Sequence, residues 1–146
     1  MVDLVPMTAQ EAMKKGYRIN VTIYDSDENE EGYEVTHPDG YKSWCPKAVA
    51  DKAYFKLCEE NNGDKIYKED VENFIKSEDN TKVGTKTTNV TITTITGYEV
   101  NGQASCVDAS QFNIDFGAKV ARPRAIDQLW GHFGFVLQWA KNGLIK

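Results

Sequence analysis

Three cations lie close together in this 146-residue chain: Lys119, Arg122 and Arg124, in the run GAKVARPRA. If the run is helical, Lys119 and Arg122 are three apart and share a face, and a guanidinium fork matches phosphate oxygens bidentately. Phe112 and Phe116 stand one helical turn apart just before them. Such rings stack on purines, with about 1–3 kcal/mol per base. Pattern alone favours a plainer reading, in which the arginines pair with Asp115 or Asp127 at the surface and the phenylalanines enter the core.

Other chemistry-bearing residues lack the company that catalysis requires. His37 precedes a Pro-Asp-Gly turn and His132 sits between Gly131 and Phe133, neither at a motif spacing from a Ser or Cys nucleophile. Both read as structural or exposed. The acidic run Asp25 to Glu31 lacks the alternating ligands and glycine of a calcium loop, so it reads as a solvated loop. Cys45, Cys58 and Cys106 form no zinc pattern and cannot all pair, which suits a reduced compartment. No phosphate-binding glycine loop or zinc-protease motif occurs. The expectation is a non-enzymatic protein with no cofactor and no metal.

Composition narrows the partners. Seventeen Lys and Arg against 22 Asp and Glu give a net charge of −5, which argues against duplex nucleic acid as a ligand. The chain shows neither a secretory leader nor an uninterrupted apolar span, so no membrane is expected and a cytoplasmic location is expected. The charge is uneven: residues 1–85 carry 11 basic and 18 acidic side chains (−7), residues 86–146 carry 6 and 4 (+2). A polar stretch near that divide predicts a small acidic module over 1–76, a linker over 77–87 and a second domain over 88–146.

Several elements must position these residues. Thr8 and Glu11 form a capping-box pattern, predicting a helix over 9–15 that Gly16 ends. Residues 18–24 alternate as a strand, and 32–36 with 41–44 predict a hairpin about the Pro-Asp-Gly turn. Pro46 predicts a helix to about Cys58, and a short helix is expected over 68–76. The β-branched run 87–96 predicts a strand; a second is expected over 98–107, with a turn or bulge at Asn101-Gly102. A capping box at 108–111 predicts a helix start, and helix is expected from Ile114 with a kink or break at Pro123. Ile126, Leu129, Trp130, Phe133, Val136, Leu137 and Ala140 form an amphipathic stripe, with Phe135 and Trp139 beside it. That excess of aromatic surface predicts a homo-oligomer. The expected fold is α+β: an antiparallel β-sheet with two C-terminal helices, preceded by a small mixed α/β domain.

The stretch from Gly97 to Leu137 resembles a family of small phage proteins known from coliphage N4 and phage Sf6, and is similar to the first type of Thoeris anti-defence protein. The matching residues are Cys106-Val107, Phe112, Gly117, Lys119, Ala121-Arg122, Ala125, Trp130, Gly134 and Leu137. Ala118 and Pro123 depart from the family pattern, where a basic and an acidic residue are common. The resemblance implies a sponge that sequesters a cyclic ADP-ribose isomer between protomers of a dimer or hexamer, with cyclic oligonucleotides taken up by some members at a separate site. It implies Arg122 as the foremost phosphate ligand, with Lys119 beside it and Asn101 on the strand; Arg124 compensates for the departures. The competing expectation is an acidic adaptor, or nucleic-acid mimic, that occupies a host factor through the first half. A hydrolase of the signal is disfavoured by the missing catalytic constellation.

Overall fold

The computed structural model describes residues 1–19 and 29–144. Most of the strand expected over 18–24, and the greater part of the acidic run 25–31, lie outside the described residues. The fold is α+β, with two antiparallel three-stranded sheets and a long C-terminal helix, and it divides into units Met1–Lys56 and Leu57–Lys146. The division thus falls about twenty residues before the expected linker.

In the first unit, β1 (Asp3–Thr8), β2 (Glu31–Thr36) and β3 (Lys42–Pro46) pair in that order, with α1 (Ala9–Lys14) and α2 (Lys47–Ala53). The capping box forms as the sequence predicts: the Glu11 amide donates to Thr8 Oγ1 at 3.3 Å and the Thr8 amide to Glu11 Oε2 at 2.9 Å. The hairpin is also as expected, with Thr36 opposite Lys42. Gly32 has a packing reason, since a Cβ there would come within 2.6 Å of the Trp44 ring. That ring is held by its Nε1, which donates to the Met7 carbonyl at 2.9 Å. Helix α2 stops at Ala53, five residues short of the expected Cys58, because Tyr54 is extended (φ −125°, ψ 140°).

Beside Trp44 on the sheet, Glu34 is buried yet charged. Tyr17 Oη donates to it at 2.6 Å, and the ammoniums of Lys15 and Lys42 stand at 3.2 and 3.4 Å. These bonds, the Tyr17 hydroxyl foremost, pull its carboxyl down to about 2 from 4.5.

The second unit contains α3 (Lys68–Asn73), β4 (Ile75–Val83), β5 (Thr87–Thr94), β6 (Glu99–Ser105), a 3-10 turn (Ala109–Gln111) and α4 (Ile114–Asn142). Buried Asp70 ties the chain before α3, accepting from the Cys58 amide and Asn61 Nδ2 at 2.6 Å and from the Tyr67 amide at 2.9 Å. The expected linker is instead strand β4 and its turn into β5. The strand carries no apolar pattern because it lies at the sheet edge with both faces in solvent, and its pairing with β5 holds it. Asn101-Gly102 forms no turn or bulge; the β5–β6 register runs unbroken through it.

Helix α4 is one helix of 29 residues rather than two, with Pro123 inside it. Pro123 and Lys119, whose carbonyl loses its usual donor, are both exposed. Burial of Ala118, Ala121, Ala125, Leu129 and Phe133 against the sheet spans the interruption. The buried stripe therefore runs further toward the N-terminus than expected; Val136 and Ala140 are exposed. A 29-residue helix is about 44 Å long, whereas an eight-residue strand spans about 27 Å, so the far end of α4 overhangs the sheet.

Two glycines let α4 lie close. A Cβ at Gly102 would collide with the Ala121 carbonyl and stand 2.7 Å from the Ala125 nitrogen; one at Gly117 would collide with the buried Thr88 hydroxyl. We expect Gly102→Ala to lower the unfolding free energy by about 1–3 kcal/mol, and Gly131→Ala, whose Cβ meets nothing within 4 Å, to raise it by up to about 1 kcal/mol. Urea titration of the two variants checks this, and equal effects would contradict the packing described.

Because the folded carboxyl of Glu34 titrates below its ordinary value, its contribution is complete above about pH 4.5 and is lost as pH falls through about 2. Melting curves from pH 6 to 2 should show a steeper loss for the natural chain than for Glu34→Gln, and parallel curves would contradict it.

Candidate functional site

Helix α4 begins at Asn113, whose Oδ1 accepts from the Phe116 amide at 2.9 Å. Phe112 closes the preceding 3-10 turn and stands outside the helix, so Phe112 and Phe116 do not form the one-turn pair expected. The Phe112 ring lies under Lys82 Nζ, 4.3 Å from its centroid, while Phe116 is 69% exposed.

The helix covers β5 and β6 more than β4. Glu78, Asn80 and Lys82 of β4 oppose Ile92, Val90 and Thr88, so they share the sheet face on which α4 lies, yet remain exposed. Along this open strip Arg122 reaches from α4 to two carboxylates. Its Nη1 and Nη2 donate to the two oxygens of Glu72 at 3.1 and 2.7 Å, and its Nε donates to Glu78 at 2.7 Å. The bonds to Glu72, then Glu78, raise the guanidinium further above its already high value; Arg122 in turn lowers the Glu72 carboxyl. The surface pairing considered for the arginines therefore occurs at Arg122, with Glu72 and Glu78 in place of Asp115 or Asp127. Lys119 is exposed one helical turn earlier.

Arg124 points to the other side of α4. It donates to the Gln103 carbonyl, and Gln128, one turn on, donates to the Asn101 carbonyl at 2.6 Å. Strand β6 is an edge of its sheet, so these two side chains satisfy carbonyls that an added strand would otherwise use. The Asn101 side chain lies elsewhere again, on the sheet face opposite α4. There it accepts from Thr91 Oγ1 at 2.7 Å and from Asn89 Nδ2 at 3.2 Å, while Gln103 Nε2 donates to Asn89 Oδ1 at 3.2 Å.

The six residues singled out from the sequence thus do not form one cluster. Arg122 lies along the β4 strip, Phe112 under Lys82, Phe116 at the helix start, Arg124 at the β6 edge and Asn101 on the outer sheet face. Lys119 keeps its expected place near Arg122. Sequence reasoning did not find Glu72, Glu78, Lys82 or Gln128, whose roles come from pairings 27 to 50 residues apart. Alternation of Asn89, Thr91, Asn101 and Gln103 with buried neighbours was the one available signal for the outer face.

Of the histidines, His132 lies edge-on to Tyr98 at 5.3 Å and His37 is tilted against Tyr41 at 5.6 Å. The three cysteines are free thiols. Among the described residues no group of three His, Cys, Asp or Glu is placed to hold a metal ion, and no helix is long and apolar enough to cross a membrane.

An α+β chain with a long helix laid on a three-stranded sheet, cationic side chains along that helix and an amide-rich face behind it is the framework in which kinship can be judged. The chain belongs to the phage protein (N4 Gp49/phage Sf6 gene 66) family, whose profile matches residues 47–140. No curated protein and no solved structure matches the chain.

Removing the edge cover with Arg124→Ala and Gln128→Ala together should cost about 1–2 kcal/mol, allowing for exposure of both bonds. It should also raise concentration-dependent light scattering. Unchanged stability and scattering would contradict the covering role.

Proposed function

We propose that the protein binds and holds a cyclic nucleotide immune signal, a cyclic ADP-ribose isomer with cyclic oligonucleotides as further ligands at a separate site, and does not cleave it. The host cell cytoplasm is its place of action and the Thoeris response its target. Membership of the phage family, together with the match of Lys119 and Arg122 to the anti-defence pattern, is the observation that carries this reading. Storage needs affinity and copies rather than a nucleophile, and a nanomolar Kd corresponds to about −12 kcal/mol.

Placement of the candidate ligands favours a site shared between chains. Arg122 lies on the helix side of the sheet and the Asn101 side chain on the opposite face, so one molecule of this size is more readily met by Arg122 of one copy and Asn101 of another. Phe135, Val136 and Trp139, each more than half exposed at the overhanging end of α4, supply apolar surface for such an assembly.

The adaptor reading draws on the −7 charge of residues 1–85. Neutralising Asp25 to Glu31 would abolish capture of a host factor under that reading and leave signal binding intact under ours.

Calorimetric titration with cyclic ADP-ribose isomers tests the proposal. We expect saturable binding, stabilisation of about 2.7 kcal/mol at a hundredfold excess over Kd, at least tenfold weaker binding for Lys119→Ala, and unchanged ligand recovered after heat denaturation. Absence of heat and of any melting shift would overturn it; recovery of a cleaved product would replace storage with hydrolysis.

A further inference from the structure

Arg122 is the residue on which the proposed site most depends, and both of its donor edges are already taken. Glu72 fills the Nη1/Nη2 edge with two parallel bonds at 3.1 and 2.7 Å, the geometry a phosphate would adopt, and Glu78 takes Nε at 2.7 Å. We propose that Glu72 and Glu78 are specificity-determining residues: they occupy both edges of Arg122 as internal substitutes for phosphate oxygens, so that the site opens to ligands bearing two linked phosphates and discriminates against single phosphates. The inference rests on the reading of Arg122 as a phosphate ligand.

The charge count supports this. One guanidinium and two carboxylates leave the triad at −1, so an anion approaching Arg122 meets repulsion rather than a free cation. A single phosphate can replace one carboxylate, but the other remains bonded a few ångströms away and opposes it. A diphosphate presents oxygens on two phosphorus centres and can replace both carboxylates together. The displaced side chains have somewhere to go: Glu72 and Glu78 are 37% and 28% exposed, so each carboxylate can rehydrate without leaving a buried charge. Glu72 lies in the last turn of the short α3 and Glu78 on an edge strand whose faces are open to water, so neither rearrangement disturbs the buried stripe of α4. Lys119, exposed one turn away, is placed to meet the additional charge of the second phosphate.

Titration of the full chain with inorganic phosphate and with pyrophosphate tests the idea without requiring the natural signal. The natural chain should bind pyrophosphate at least tenfold more tightly than phosphate. Glu78→Gln, which keeps the shape and removes the charge, should raise phosphate affinity about tenfold and narrow that ratio, and Arg122→Ala should abolish the preference. Glu72→Gln provides the same reading if Glu78→Gln fails to fold, and the Arg122 Nε–H resonance of the natural chain should shift with pyrophosphate at concentrations where phosphate leaves it in place. Phosphate affinity within twofold of the natural chain in a folded Glu→Gln variant, or an Arg122 resonance unmoved by saturating pyrophosphate, overturns the proposal. If selectivity follows this pattern while no cyclic ADP-ribose isomer binds, the sponge reading fails and the carboxylate filter stands. If the isomer binds tightly while Glu78→Gln changes nothing, the filter fails alone.

Discussion

Close approach of α4 to its sheet is the constraint from which the rest of the second unit follows. Gly102 on β6 and Gly117 on α4 have no Cβ because Ala121 and Thr88 occupy that space, and Ala118, Ala121 and Ala125 continue the stripe of small residues. A helix seated this low brings side chains of ordinary length to the backbone beneath it. Arg124 and Gln128 thus reach the outer carbonyls of β6, and Arg122 reaches across to Glu78 on β4. Larger residues in the stripe would lift the helix, and all three sets of bonds would lengthen together. Close packing explains why a proline is accommodated: the contacts on either side of Pro123 are made by the buried face, while the missing hydrogen bond lies on the exposed one.

The first unit solves a smaller problem by different means. Among the described residues, Ala9, Ala12, Ala50, Met7 and Val35 are buried there, and Trp44 lies across Gly32. Glu34 is tolerated because a hydroxyl and two ammoniums satisfy its oxygens, and the cluster ties the end of α1 to β2 and β3. The family match begins at Lys47, on the helix that follows β3, so all three strands of this sheet lie before the matched region.

Local signals in the sequence were legible where local chemistry decides the structure. The Thr8–Glu11 capping box, the Pro-Asp-Gly hairpin, the β-branched run of β5 and the N-terminal part of α4 depend on contacts within a few residues, and each forms. Legibility failed where a distant partner decides. Strand β4 has no hydrophobic period because nothing covers it, and only its pairing with β5 makes it a strand. Strand β1 carries Pro6 and a weak alternation, and went unread for the same reason. The end of α2 is set by an extended Tyr54 rather than by a breaker in the sequence. At the candidate site, basic residues were visible but their occupancy was not, since Arg122 meets Glu72 and Glu78 from 50 and 44 positions away.

That difference between a visible cation and an available one bears on how an acidic protein can hold an anion. With a net charge of −5, the chain offers no long-range attraction to a phosphate ligand, so selectivity has to come from contacts made at short range. Here the arginines along α4 are already committed: Arg124 to a sheet edge and Arg122 to two carboxylates. Committed cations are poor ligands for chance anions, including the abundant free phosphate and nucleotides of a cell. On the proposed reading they remain accessible to a ligand that reproduces the geometry and charge of what it displaces. A protein that must ignore common nucleotides and retain a rare one gains more from such internal competition than from an open basic patch, because the competition discriminates by the number and spacing of phosphates rather than by charge alone.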